Sequence, residues 1–261
     1  LIDVSLQVRS GEVVGIAGVS GNGQQELLRA LSGEDTRAQP AMVQVTGQDV
    51  ARLGPQQRRA LGLHFVPEER LGRGAVPTMG LAHNLLLTRS DAVGAMGWLH
   101  LGQLKEQARA IIERFGVKAG GADAPARSLS GGNLQKFIVG REIAAQPKLI
   151  IIAQPTWGVD VGAAAQIHAE ILALRDAGCA VLIVSEELDE LFELSDRLYV
   201  LAKGHLSPSV ARADATVQQV GEWMSGLWNA DVQQHLADME QVLPSSEAAQ
   251  ANALVKGPQH V

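Results

Sequence analysis

Gly18-Val19-Ser20-Gly21-Asn22-Gly23-Gln24-Gln25 follows directly on the apolar stretch Glu12-Val13-Val14-Gly15-Ile16-Ala17, and this junction decides the fold. Gly18, Gly21 and Gly23 form the glycine skeleton of a phosphate-binding loop, whose usual pattern is G-x-x-x-x-G-K-[ST]. In that pattern backbone N–H groups surround the phosphates and the lysine reaches the terminal ones. Here Gln24 stands at the lysine position and Gln25 at that of the magnesium-binding hydroxyl. From Gln24 to Leu31, Leu27, Leu28 and Leu31 share one helical face, and Gly33 is a natural stop. Strand, glycine loop and helix in this order are the context such a loop requires.

Working outward, Leu1 to Val8 alternates apolar and polar side chains, which predicts a half-buried strand. Residues 41–66 read as short strands and turns around Thr46-Gly47, ending in Leu63-His64-Phe65-Val66-Pro67. The Gly-, Pro- and Arg-rich stretch from Pro67 to Gly102 carries an apolar cluster at Leu85 to Leu87. Leu104, Ala108, Ile111, Ile112 and Phe115 then predict a helix over 103–115, and this middle region reads as an inserted helical lobe. In the second half, helices over 133–145 and 161–177 alternate with strands over 149–152, 180–184 and 197–202, before a last helix over 216–224. Such alternation implies crossover connections and a largely parallel sheet. Beyond Asp231 the chain loses periodicity and reads as a loosely ordered tail.

The 261 residues are 46% hydrophobic, enough for a substantial core. A net charge of −6 argues against broad attraction to nucleic acid or anionic lipid. No apolar run reaches the ~18 residues of a membrane-spanning helix, and the start lacks the pattern of a signal peptide, so the expectation is an intracellular chain. Its abrupt opening in a strand suggests a fragment of something longer. The lone Cys179 reads as a buried structural thiol, and the seven histidines show no metal-ligand spacing.

Leu129-Ser130-Gly131-Gly132-Asn133 opens a helix and places free backbone N–H groups at its N-terminus, where the dipole favours an anion. About twenty residues on come Leu149-Ile150-Ile151-Ile152-Ala153-Gln154-Pro155-Thr156 and then Gly158-Val159-Asp160. At this point the chain resembles the ATP-binding cassette ATPases over about residues 1–228. Leu129 to Asn133 resembles their signature motif, Ile150 to Thr156 their Walker B strand, and the run ending in Asp160 their D-loop. Val66-Pro67-Glu68-Glu69-Arg70 sits where the Q-loop belongs, and Val184-Ser185-Glu186 where the switch histidine belongs. The strings around Glu68, Asn133 and Gln154 further resemble the second, C-terminal cassette of tandem sugar and nucleoside importer subunits, with Ala153-Gln154 most like the nucleoside branch.

The resemblance implies an α/β fold: a P-loop core with a mainly parallel sheet, an N-terminal antiparallel β region and a helical lobe inserted at about 75–145. It implies one nucleotide-binding domain over 1–228 and a flexible tail over 229–261. ATP and Mg2+ would be the ligands, with Gly18, Ser20, Gly21, Asn22, Gly23, Gln24 and Gln25 at the nucleotide and Gln25 as the remaining side-chain oxygen for the metal. The partners implied are a second cassette, as the N-terminal half of the same polypeptide, and membrane-spanning permease subunits, with the chain peripheral on the cytoplasmic face of the membrane.

The departures from the family pattern fall on one surface. Gln24 brings no charge, Ala153 stands for a metal-supporting aspartate, Gln154 for the glutamate that polarises water, Glu186 for a histidine at the γ-phosphate, and Glu68 for the Q-loop glutamine. Charge-assisted hydrogen bonds contribute about 1.5–3 kcal/mol against ~1 for neutral ones, so phosphate binding and turnover here should weaken. Signature residues Ser130, Gly131 and Gly132 keep their pattern. Since cassettes of this family pair head to tail, the expectation is a chain that completes its partner's ATP site while its own does not hydrolyse. The alternative is a non-enzymatic regulatory or assembly module on the same fold. Arg70 and Arg73 read either as a solvated charged turn or as a loop touching the membrane partner or nucleotide, and Trp157 as packing at the cassette interface.

Overall fold

The computed structural model describes residues 1–89, 94–95 and 98–228. In chain order the elements are β1 (Val13–Ala17), α1 (Gln24–Ser32), β2 (Gln44–Val45), β3 (Gln48–Asp49), α2 (Pro55–Ala60), β4 (Leu63–Val66) and α3 (Leu81–Leu86). There follow β5 (Gly94–Ala95), β6 (Trp98–Leu99), α4 (Leu101–Arg114), α5 (Gly131–Ala144), β7 (Leu149–Ala153), α6 (Val161–Asp176) and β8 (Ala180–Ser185). The last are α7 (Leu188–Leu194), β9 (Arg197–Ala202), β10 (His205–Leu206), β11 (Val210–Ala211) and α8 (Val217–Met224).

Strands β9, β1, β8, β7 and β4 lie side by side, all parallel, and β10 and β11 close the β9 end antiparallel. The parallel strands are apolar runs buried on both faces, as crossover topology demands. On one face Leu27 and Leu28 of α1 join Val45, Val50 and Phe65 against Ile16, Ile151 and Leu182. On the other, α3 to α7 contribute Leu85, Leu104, Phe115, Phe137, Ile167 and Leu191 to one cluster with Ile150, Ile152 and Ile183. Helix α5 runs through the middle of that layer, buried continuously from Leu134 to Ile143. The region expected as an inserted lobe therefore shares its apolar cluster with the sheet. The phosphate-loop α/β architecture and its mainly parallel sheet are thus as expected.

Two local expectations are corrected. Leu1 to Val8 is not a strand: only Ile2 bridges to His205, while Val4, Leu6 and Val8 pack on the α1 face without a ladder. Alternation recorded which side chains are half-buried, but the extended segment finds no neighbouring strand edge. The antiparallel region correspondingly shrinks to the two-residue pair β2–β3. Helices α2 and α7 were not foreseen. The tail expected over 229–261 lies outside the described residues.

Parallel strands bring their C-terminal ends to one side of the sheet, where ligands of such folds bind. Gly18 follows β1, Glu68 follows β4, Gln154 follows β7 and Glu186 follows β8, so four sequence-predicted positions share that rim.

Candidate functional site

Gly21 and Gly23 take φ of +89° and +109°, which side chains rarely adopt, and Gly23 opens α1 from the left-handed region. A Cβ on Gly18 would lie 2.6 Å from both Gln24 Nε2 and the carbonyl of Leu201. The loop is closed on itself by Gln24, a buried side chain. Its Nε2 donates to the Val19 carbonyl at 2.7 Å, and its Oε1 accepts from the Asn22 N–H at 3.0 Å. The amide thus occupies one of the donors the loop would offer an anion. Asn22 is fastened to the β9–β10 turn, its Oδ1 accepting from Lys203 N at 2.7 Å and its carbonyl from Gly204 N at 2.9 Å. Ser20 and Gln25 are exposed.

At the end of β7, Ala153 is buried and offers no polar atom, while Gln154 sits at a left-handed φ of +51°. The Gln154 Oε1 accepts from Ser185 Oγ at 3.2 Å and from the Glu186 N–H at 3.3 Å. That oxygen faces the loop after β8, and the Ser185 hydroxyl is shared with Glu190 Oε2 at 2.9 Å. Glu190 also accepts from Thr156 Oγ1 at 2.6 Å and meets His168 Nε2 at 3.2 Å; His168 Nδ1 meets Glu193 at 3.1 Å. The hydrogen bond to Glu190 pushes the His168 pKa up against the effect of burial, and Glu193 adds to it. Glu68 completes the rim. Its own burial, then Glu69 and Glu186, raise its carboxyl above the ordinary range, so the space between the ends of β4 and β8 is acidic.

The second cluster lies at the start of α5. Ser130 is the N-cap: its Oγ accepts from Asn133 N at 3.4 Å and from Asn133 Nδ2 at 2.8 Å. Asn133 Oδ1 takes the Lys118 N–H at 2.8 Å, tying the cap to the end of the α4 segment. Leu129 is half-buried against the main cluster. A Cβ on Gly132 would meet the Gly158 carbonyl at 2.9 Å, so the α5 N-terminus and the Trp157–Asp160 turn are in close approach. Asp160 caps α6, accepting from Ala163 N at 2.9 Å, and that bond keeps its carboxyl below the ordinary range. Trp157 and Val161 are exposed large apolar side chains beside it.

The structure brings the loop 18–25, Gln154, Glu186 and Glu68 to one rim, and Leu129 to Asn133 with Asp160 to a separate edge. Sequence reasoning missed the residue that connects them. Gln135 is buried on α5, and its Nε2 donates to the carbonyls of Gln154 and Pro155 at 3.1 and 3.0 Å. A glutamine five positions after the capping Ser130 was the available signal. It also missed Glu190 and His168, whose pairing across α6 and α7 no local pattern announces. The thiol expected to be buried is so: Cys179 is covered and burial pushes its pKa up to about 11. Among the described residues no three His, Cys, Asp or Glu side chains are gathered as metal ligands, and no helix is long and apolar enough to cross a membrane.

Comparison with known proteins agrees with this geometry. The fold is similar to that of the dimeric bacterial ABC transporter cassette MJ0796, with a TM-score of 0.68 at 19% identity over 80% of this chain and 89% of that one. The guanosine import ATP-binding protein NupO of Bacillus subtilis (strain 168) is 40% identical over 226 residues, 86% of this chain and 44% of NupO. The ribose import ATP-binding protein RbsA 1 of Rubrobacter xylanophilus is 37% identical over 221 residues, 84% of this chain and 44% of that protein. The chain thus spans less than half the length of these curated relatives. The ABC transporter family model matches residues 1–157. With the phosphate-loop sheet, the glycine loop at its rim and the capped Ser130–Gly132 helix start in place, this chain belongs to the ABC transporter family, whose cassettes are ATPases.

Proposed function

We propose that residues 1–228 form one nucleotide-binding domain of a sugar or nucleoside importer, and that it works as the non-hydrolysing half of a cassette pair. The domain would be the C-terminal cassette of a tandem subunit, with its partner cassette in the same polypeptide and permease subunits in the membrane. It would lie against the cytoplasmic face. The likeness to NupO and RbsA 1 over 44% of each supports this arrangement and the solute classes.

One observation carries the reading: the rim is closed to a phosphate while the edge is open to one. At the rim the Gln24 amide takes up the Asn22 N–H, and no lysine replaces it. Ala153 supplies no oxygen, and the Gln154 amide oxygen is taken up by Ser185 and Glu186. At the position of the metal-binding hydroxyl Gln25 offers only a neutral amide oxygen, a poor match to Mg2+, which prefers carboxylates and phosphate oxygens. Glu68 and Glu186 bring carboxyl groups to the rim, Glu186 at the position that the family resemblance gives to a histidine at the γ-phosphate. At the edge, Ser130, Gly131 and Gly132 present a capped helix N-terminus, to which a partner-bound phosphate is attracted.

ATP turnover tests this directly. Residues 1–261 alone should hydrolyse ATP far more slowly than the intact protein that holds both cassettes, and Ser130→Trp in the intact protein should abolish turnover. Equal rates for the two would overturn the non-hydrolysing reading, and indifference to Ser130→Trp would favour a non-enzymatic module.

A further inference from the structure

Arg70 reaches from the loop after β4 to the edge formed by α5 and the Trp157–Asp160 turn, and the nucleotide reading gives it no task. Its Nε donates to Gln135 Oε1 at 3.1 Å, and its Nη2 donates to the Trp157 carbonyl. The guanidinium also lies 4.8 Å from the centroid of the Trp157 ring. Two glycines make the slot it occupies. A Cβ on Gly131 would lie 2.5 Å from Nη1, and one on Gly158, at φ +63°, would lie 3.2 Å from Nη2.

The partners of this cation are neutral: a side-chain amide oxygen, a backbone carbonyl and an aromatic face. A cation beside the N-terminus of α5 gains nothing from the helix dipole. What a guanidinium offers that an ammonium does not is a rigid fork with a flat face, able to hold two acceptors and stack at once. Gln135 extends the contact, since its Nε2 holds the carbonyls of Gln154 and Pro155. One planar group therefore bonds the segment carrying Glu68 to α5 and to the turn carrying Asp160.

We propose that Arg70 is a positioning residue for the partner's ATP site. It locks the Trp157–Asp160 turn to the start of α5, so that Ser130 to Gly132 and Asp160 meet the partner as one rigid edge. The inference rests on the reading that this edge completes a partner's site. Because Arg70 stands two residues after Glu68, any shift of that loop is passed to the edge.

The test uses the intact protein with both cassettes. Arg70→Met should lower kcat on the order of tenfold or more, as small misplacements of positioning groups do, with KM for ATP within about twofold, because nucleotide is bound by the partner's own loop. Arg70→Lys should recover little, lacking the fork. Trp157→Leu should lower kcat too, and combined with Arg70→Met the two losses should not multiply. Hydrogen exchange should quicken at 131–135 and 156–160 in Arg70→Met while the rest of the chain keeps its protection, which a general folding defect would not give. A kcat for Arg70→Met within about twofold of wild type, losses that multiply, or exchange unaltered at those segments or raised throughout the chain would each overturn the inference. The Ser130→Trp variant separates the two claims: if it abolishes turnover while Arg70→Met does not, only the positioning role falls; if it has no effect, the edge itself does not serve a partner.

Discussion

Replacing the residue at the lysine position of a phosphate loop by alanine ordinarily weakens nucleotide binding; for Gln24→Ala in this chain the opposite is expected. The Gln24 amide makes two hydrogen bonds inside the loop, at 2.7 Å to the Val19 carbonyl and 3.0 Å from the Asn22 N–H. A phosphate that needs that N–H must first displace the amide. Each neutral bond contributes about 1 kcal/mol net, so the plug opposes binding by about 2 kcal/mol, or roughly 30-fold in Kd. Alanine removes the plug without adding charge, and nucleotide affinity should rise by up to that factor. The same truncation costs the free chain up to about 2 kcal/mol and should lower Tm by about 2–4 °C per kcal/mol. Titration of residues 1–261 with a fluorescent ADP, beside isothermal calorimetry with ATP, reads the affinity, and a thermal melt reads the cost. Gln24→Lys is the companion variant: its ammonium can pair with phosphate by stronger, charge-assisted bonds, so its gain should exceed that of alanine. Affinity for Gln24→Ala equal to or below wild type, with the melt lowered as expected, would refute the idea that the amide competes for the loop.

Three further outcomes follow from groups away from the loop. Glu142 is buried, paired with Arg59 Nη1 at 2.5 Å, His64 Nδ1 at 2.8 Å and Arg141 Nε at 2.9 Å, so Glu142→Leu strands buried cations and should cost about 3–5 kcal/mol in urea denaturation. Burial pushes that carboxyl up, but Arg141, the hydrogen bond with His64, and Arg59 outweigh it and hold it at about 2 against an ordinary 4.5; its stabilisation is therefore present above pH 4.5 and lost as pH falls towards 2, which an acid titration of wild type against the variant should show. For His168, raised chiefly by Glu190, stability from the imidazolium is complete below pH 6.5 and lost as pH rises through its folded value; an NMR titration should place its midpoint above 6.5, and Glu190→Gln should lower it. A Cβ on Gly140, in the middle of α5, would meet the Phe115 ring at 2.5 and 2.8 Å, so Gly140→Ala should destabilise by about 1–3 kcal/mol less the ~1 kcal/mol gained in helix propensity, seen as a lower urea midpoint.

What the sequence made legible was what short-range physics dictates. The strand Val13–Ala17, the helix ended by Gly33, and the cap Ser130 with Asn133 are each specified within a few residues, and they stand where expected. The seven-residue α7 was missed because it begins without a side-chain cap and is held by packing of Leu191 and Leu194 against the sheet, a long-range effect. Leu1 to Val8 was misread for the converse reason: its alternation is real, but a strand also needs a free edge to pair with. At the site, the residue types that replace the family pattern could be read directly. Where their side chains go could not. That the Gln24 amide turns back five residues to Val19, or that Gln154 gives its oxygen to the loop after β8, depends on closure of the loops and not on composition.

The two surfaces fail or succeed for reasons that differ in kind. At the rim, three obstacles are physically independent: a donor occupied by Gln24, the absence of any cation or metal oxygen at positions 24 and 153, and the negative field of Glu68 and Glu186. A lysine at 24 answers the first and part of the second, so it can restore binding but leaves water without a base and the γ-phosphate facing carboxylates. At the edge Ser130 caps α5, Asp160 caps α6, and hydrogen bonds from Arg70 and Gln135 hold the two helix starts together. Preorganised donors are worth most when they need no rearrangement as charge arrives. To use the Asn22 N–H at the rim a phosphate would have to displace the Gln24 amide. On the proposed pairing, that difference would direct ATP chemistry to the partner's pocket.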